Sequence, residues 1–229
     1  MVRLRLPHPG WLILIALIAV VSGTAFHYWW EYRNVQRLVN DVHAINGTIG
    51  LGYDAPDWLV KWLVARGHEH RIKWLKTNPI YIDLQEKKSV NDEWLERIKS
   101  FKSLEELTLN HTEITDAGVV KLKGLTNLLV LNLNDTSIGD VGVESLSSLR
   151  KLGWLSLART HVSDRGLDSL KTLPQLKSLQ ISETKITEAS LGTLEAFRGL
   201  ESVSLHDNRV SVPAILRLKA RRPHLRVNF

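Results

Sequence analysis

Four columns of residues recur every 24 positions through the C-terminal half of this chain, and they align without a gap. Leu107, Leu131, Leu155, Leu179, Val203 and Val227 form one column, and Leu109, Leu133, Leu157, Ile181, Leu205 and Phe229 a second. Leu104, Leu128, Leu152, Leu176 and Leu200 form a third, and Thr112, Thr136, Thr160, Thr184 and Asn208 a fourth. A fixed step of this kind excludes most globular architectures, because each unit must be one supersecondary element stacked on its neighbours. Within a unit the pattern LxxLxLxxT alternates apolar and polar residues, as in Leu128 to Thr136, which predicts a short strand with one buried face.

A second stretch follows each strand: Ile114-Thr115-Asp116-Ala117-Gly118-Val119, Ile138-Gly139-Asp140-Val141-Gly142-Val143, Val162-Ser163-Asp164-Arg165-Gly166-Leu167 and Ile186-Thr187-Glu188-Ala189-Ser190-Leu191. A hydroxyl residue before an acid is a helix-start signal, since the hydroxyl accepts an orphan amide proton and the helix dipole favours the carboxylate. Leucines such as Leu122 and Leu125, or Leu146 and Leu149, continue at helical spacing. The unit therefore reads strand, turn, helix, return. One unit cannot bury its own apolar face, so stability comes from stacking and from covering both ends.

The motif LxxLxLxxT followed by [IV]-[TS]-D-x-G resembles the leucine-rich repeat, in the 24-residue form of bacterial membrane-anchored leucine-rich repeat proteins. The resemblance implies an α/β fold: a right-handed horseshoe solenoid of five to six units over residues 80–229, with parallel strands on the concave face and helices on the convex one. Departures sit at the ends, as capping units require. Ile82 and Leu84 precede Leu107 and Leu109 by 25 residues, Val90-Asn91-Asp92-Glu93-Trp94 stands in place of the usual turn, and Ser211-Val212-Pro213-Ala214 lacks the acid and glycine.

Ahead of the repeats, after a short tail (1–10), Trp11 to Phe26 carries no charge, and Tyr28-Trp29-Trp30 extends the apolar run. Twenty residues, 11–30, make a helix of about 30 Å, the thickness of a hydrocarbon core. Their nine Leu, Ile, Val and Phe residues favour insertion by about 3 to 5 kcal/mol. Trp11 and the Tyr28-Trp29-Trp30 cluster stand where interfacial aromatics are expected. A transmembrane helix behaving as a signal anchor is the expectation; Gly23-Thr24-Ala25 offers a cleavage alternative, but the aromatic cluster beyond it reads as a membrane boundary. Arg3 and Arg5 balance Arg33 and Arg37 across the span. The short N-terminal tail favours a single-pass topology with the repeats on the extracytoplasmic side.

Residues 31–79 read as a juxtamembrane helix and an N-terminal cap. Val35, Leu38, Val39, Val42 and Ile45 recur at helical spacing and predict a helix to Asn46, stopped by Gly47. Ile49, Leu51 and Tyr53 predict a strand, and Pro56 to Val64 a short amphipathic helix. Tyr53-Asp54 and Trp58-Leu59 match the segment between anchor and repeats in the same family, which implies a covering role for the open end of the first repeat.

The chain has no cysteine, which excludes disulfides, thiolate metal sites and cysteine nucleophiles. Its net charge of +6 is spread through the repeats, apart from Arg217, Lys219, Arg221, Arg222 and Arg226, a run read as a solvated end-cap face. His68-Glu69-His70 lacks the spacing of a zinc helix motif and is not expected to hold a metal. No phosphate loop, dinucleotide fingerprint or paired-carboxylate motif appears. The expectation is a non-catalytic protein with no cofactor, no nucleic acid partner and no small-molecule substrate. Its concave face would take a protein or peptide through Val130, Asn132, Trp154, Ser156, Arg159 and Gln180, with Trp154 as the anchor. The competing expectation is a structural, envelope-organising protein that touches lipid or its own copies through the juxtamembrane and basic C-terminal regions.

Overall fold

The computed structural model describes residues 9–53, 57–66 and 77–229. Asp54, Pro56 and His68-Glu69-His70 lie outside the described residues, as do the side chains of Tyr53 and Trp58. The chain divides into two compact units, one of residues 1–37 and 53–77, the other of 38–52 and 78–229.

The helix α1 begins at Pro9 in the first unit and runs without interruption to Ala44, its last residues belonging to the second unit, so the expected juxtamembrane helix is its continuation rather than a separate element. The membrane span expected over 11–30 is not seen: among the described residues no helix is long and apolar enough to cross a membrane. The side chains of 9–19, which form most of the uncharged run, lie outside those residues. Phe26, Tyr28, Trp29 and Trp30 are exposed, with the Arg33 guanidinium 4.8 Å above the Trp29 ring. The helix α2, Asp57–Ala65, belongs to the same unit.

The second unit is one eight-stranded sheet in chain order: β1 (Thr48–Tyr53), β2 (Thr77–Asp83), β3 (Glu106–Thr108), β4 (Val130–Asn132), β5 (Trp154–Ser156), β6 (Ser178–Gln180), β7 (Ser202–Ser204) and β8 (Arg226–Asn228). From β2 onward every neighbour is parallel, and the register joins Ile82, Leu107, Leu131, Leu155, Leu179, Val203 and Val227 in one row. This is the column read from the sequence, and all seven side chains are buried. Because side chains alternate across a strand, the residues before and after each of them face away from the core.

The end of α1 closes the first strand's open side. Leu38 and Val42 join the repeat core, with Ile45 and Ile49 packed against it. The helix stops through Asn46, whose φ of 54° supplies the left-handed turn, and the Gly47 amide bonds back to the Val42 carbonyl at 2.9 Å. Gly47 is needed for space rather than for φ: a Cβ there would lie 2.8 Å from Leu84 Cδ2. Gly47, Gly50 and Gly52 approach residues 83–84, 81 and 80 in turn, so β1 runs antiparallel to β2 and differs from every other pair.

Two hydrogen-bond devices explain the rest of the repeat. On one side of the strand, the chain turns through His111, Asp135, Arg159, Glu183 and Asp207, all with φ of 54–56°. The next residue, Thr112, Thr136, Thr160 or Thr184, donates its hydroxyl to the carbonyl three residues back at 2.5 to 2.8 Å. That bond satisfies a strand-end carbonyl inside the core and so rewards a turn that costs each non-glycine residue about 1–2 kcal/mol. In the last unit Asn208 does the same work between units, accepting the Thr184 amide at 2.8 Å and donating to the Ile181 carbonyl at 2.7 Å.

On the helix side, each acid holds the start of the next unit. Asp92 accepts the Thr115 amide and hydroxyl at 2.8 and 2.6 Å, Asp140 those of Ser163 at 2.8 and 2.6 Å, and Asp164 those of Thr187 at 2.8 and 2.5 Å. Asp116 accepts the Gly139 amide at 2.7 Å, and Glu188 the Ser211 amide at 3.0 Å. The hydroxyls of Thr115, Ser163 and Thr187 cap the helices α3 (Asp116–Val119), α5 (Asp164–Ser169) and the 3-10 turn Glu188–Ser190, as the sequence predicts; α4 (Asp140–Ser145) starts from Gly139 without a side-chain cap. The carboxylates, expected to serve the helix dipole of their own unit, instead clamp the unit that follows. Val90 to Trp94 is corrected in the same way: Asp92 performs the ordinary clamp, and the extra residue of the first unit lies between Leu84 and Val90.

At the far end α6 (Leu191–Ala196) is followed by β7 and then by α7 (Val212–Arg221), which buries Ala214, Ile215 and Leu218 on the last unit. Arg222, expected among solvated cations, is a structural cap. Its guanidinium donates to the carbonyls of Glu195 at 2.8 Å, Phe197 at 2.7 Å and Leu200 at 3.1 Å, closing the C-terminus of α6. Replacing Arg222 with Met strands those acceptors and is expected to destabilise the chain by about 2–3 kcal/mol in denaturant unfolding. Replacing exposed Arg226 the same way should change stability by less than about 0.5 kcal/mol.

Candidate functional site

The sheet's exposed face is built from the residues that flank each buried strand centre. On β4 to β7 these are Val130 and Asn132, Trp154 and Ser156, Ser178 and Gln180, and Ser202 and Ser204, none of them charged. Charge returns at the ends of the row, with Glu106 on β3 and Arg226 on β8.

The register sets Val130 beside Trp154, and both side chains are half-buried. Leu129, one residue before β4, is 40% exposed and enlarges the patch. At Gly153, next to Trp154, an added Cβ would make ordinary contacts with the Gln175 and Leu129 carbonyl oxygens at 3.7 and 3.8 Å. Leu129, Val130 and Trp154 thus form one apolar patch on an otherwise polar sheet face. Leu129 was not among the residues singled out from sequence, because it reads as a variable position beside the core residue Leu128; its exposure follows only from the strand's direction.

Beside the patch runs a bonded line of amides and hydroxyls. Asn132 Nδ2 lies 3.4 Å from Asn110 Oδ1, and Asn132 Oδ1 accepts the Asn134 amide at 3.2 Å. Asn134 Oδ1 accepts from the Ser156 hydroxyl at 2.5 Å and from the Ala158 amide at 2.8 Å. Ser156 Oγ also lies 3.1 Å from the Gln180 amide. One hydroxyl proton serves one acceptor, so a Gln180 amide turned to donate through its nitrogen satisfies both contacts. Ser156 itself is fully buried. It supports the surface from beneath and orients Asn134 and Gln180, in place of the direct contact expected of it.

The left-handed turn column forms the rim of this face and carries a ladder of charge. Arg159 grips both oxygens of Asp135 through Nε and Nη2, the latter at 2.8 Å, and reaches Glu183 through Nη1 at 3.0 Å. His111 Nε2 stands 3.2 Å from the other side of Asp135. Hydrogen bonds that it donates to Asp135 and then to Glu183 hold the Arg159 guanidinium protonated even more firmly than usual. The Arg159 guanidinium is thus already paired within the chain, and its half-exposed ion pairs are worth little in stability. Elsewhere, Lys99 and then Lys121 lower the Glu96 pKa, Lys171 lowers that of Asp168, and the Ser211 hydroxyl followed by its amide lowers that of Glu188. All three groups lie away from the apolar patch, and each shift follows from a hydrogen bond already made.

Chemically, the face offers an apolar anchor flanked by neutral donors and acceptors held in place by their neighbours. Among the described residues no group of three or more His, Asp or Glu gathers to hold a metal.

Residues 102–162 match the sequence profile of the family described as Leucine rich repeat. Among solved structures, the fold is similar to that of internalin C2 of Listeria monocytogenes, at 21% identity and a TM-score of 0.45, over 65% of this chain and 80% of that one. It is similar to an internalin (inlF) of the same organism at 20% identity and a TM-score of 0.49, covering 74% of this chain and 54% of that one. A leucine-rich repeat protein of Leptospira interrogans aligns at 19% identity and a TM-score of 0.45, over 58% of this chain and 39% of that one. No curated protein sequence matches the chain. Residues 102–162 match leucine-rich repeats by sequence, and the same strand register and carboxylate clamp continue on both sides of them, so the folded body is an α/β solenoid of stacked repeats with parallel strands.

Proposed function

We propose that this chain is a single-pass membrane protein whose repeats, on the extracytoplasmic side, bind a protein or peptide by association alone. The observation that carries the binding reading is the Leu129, Val130 and Trp154 patch, the apolar part of a sheet face whose other members are polar. A half-buried tryptophan within such a patch has the character of an interface hot spot, and the amide line beside it supplies hydrogen bonds already held in position. Val130, Asn132, Trp154 and Gln180 make the contact, Ser156 positions Gln180, and Arg159 lies at the rim. The tether reading is supported by the uncharged run from Trp11 to Phe26 and by the exposed aromatic cluster that follows it.

Replacing Trp154 with Ser tests the binding reading. Because the side chain is half-exposed, the melting temperature should stay within a few degrees, while the partner recovered by chemical cross-linking from intact cells falls at least about tenfold. Unchanged recovery from a stably folded Trp154→Ser chain would count against the patch.

A further inference from the structure

The exposed face and the C-terminal cap are complementary to each other, and one chain cannot bring them together. The apolar patch of Leu129, Val130 and Trp154 is bordered on its β3 side by Glu105 and Glu106, both exposed. Among the described residues neither carboxylate has an ion pair. On the outer side of α7, Val212 and Leu216 are each 55% exposed. Arg209 precedes them and Arg217 adjoins Leu216; among the described residues the one ion pair of either is the 3.8 Å contact of Arg217 with Glu188, between two largely exposed side chains. An apolar pair with basic neighbours thus exists on the same molecule as an apolar pair with acidic neighbours.

The dimensions agree as well. Val212 and Leu216 lie four residues apart on a helix, about 6 Å. Val130 and Trp154 lie on adjacent strands, about 5 Å apart. A helix laid across the strands with Val212 on Val130 and Leu216 on Trp154 carries Arg209 one further step, towards Glu106, the strand neighbour of Val130. Within one chain α7 covers the helix side of the last repeat while the patch lies on the sheet face three strands away.

We infer that the partner of the exposed face is a second copy of this chain, which seats its C-terminal helix on the patch. This rests on the reading that the patch is a protein-binding surface, and it names the occupant. The contact joins different surfaces of the two copies, so it repeats head to tail rather than closing as a symmetric dimer.

The absence of cysteine makes the test direct. Val130→Cys and Val212→Cys are introduced singly and together into the full chain in detergent micelles, treated with a short bis-maleimide and separated by mass. The paired variant should give a ladder of dimers, trimers and longer species. Each single variant alone should stay monomeric, and an equal mixture of the two should stop at dimers. Charge reversal by E105K with E106K should reduce the ladder at least tenfold, as should R209E, and combining the three reversals should restore it. Circular dichroism on each variant confirms the fold. Absence of the ladder, its indifference to charge reversal, or dimers from Val130→Cys alone would each overturn the inference. A different protein captured at Trp154 in intact membranes would overturn the self-association and leave the exposed face standing as a binding surface.

Discussion

Gly142→Ala should destabilise the solenoid by about 3–5 kcal/mol, a large effect for one added methyl group. The Cβ would stand 2.4 Å from Asp116 Oδ1, 3.0 Å from Ile138 Cγ2 and 3.2 Å from the Asp116 Cα. The carboxylate cannot swing aside freely, because the same oxygen accepts the Gly139 amide at 2.7 Å. The substitution therefore adds overpacking, about 1–3 kcal/mol, to the loss of a charge-assisted bond between repeats. Gly118 and Gly166 stand in the same relation to Asp92 and Asp140, at 2.2 and 2.5 Å. Gly192→Ala is the control: a Cβ there meets nothing within 4 Å, so better helix propensity should stabilise the chain slightly. Removing the Asp116 carboxylate relieves the clash, so Asp116→Ser with Gly142→Ala should cost clearly less than the sum of the two. Additive costs in that cycle, read by denaturant unfolding, would show that the two residues are not one device.

Leu155→Ala should cost about 3–5 kcal/mol and lower the melting temperature by roughly 10 °C. Leu155 is fully buried at the centre of β5, with a buried leucine in register on each side. In a stacked solenoid both neighbours lose contacts when it is cut back, and the cavity has no free end towards which to collapse. Val227→Ala on β8, the last strand, should cost about 1–2 kcal/mol, since repeats lie on only one side of it. Equal costs at the two positions, compared in one denaturant series, would contradict this nearest-neighbour account of stability.

These two residues mark where the sequence was legible. Leu155 belongs to a column whose period alone assigns strand, burial and register, because a parallel stack places equal positions side by side. The glycines and acids were visible as a motif, but local helix-cap reasoning gave each acid a role within its own unit. The bond it makes is to a residue 23 positions further on, as from Asp140 to Ser163, and only the stack brings them together. Ser190 shows the dependence from the other side. Where serine replaces the glycine, the helix start becomes a 3-10 turn, and Glu188 replaces Asp as the clamp on Ser211.

At the candidate site, Trp154 could be placed on the exposed face from its column. Leu129 could not, because its exposure depends on how the chain enters β4. Ser156 and Arg159 have partners that a one-dimensional pattern does not contain: Asn134 and Gln180 for the first, which is buried, and Asp135 and Glu183 for the second. Arg222 was hidden in a run of basic residues, and its carbonyl acceptors come from the preceding unit.

The measurement that bears most directly on the proposed function is photo-cross-linking in the native membrane from a reactive residue at position 154, with one at exposed Lys171 on the helix side as control. A binding surface on the sheet face predicts a discrete adduct from position 154 and none from position 171. Equal labelling from both positions, or none from 154, would contradict it.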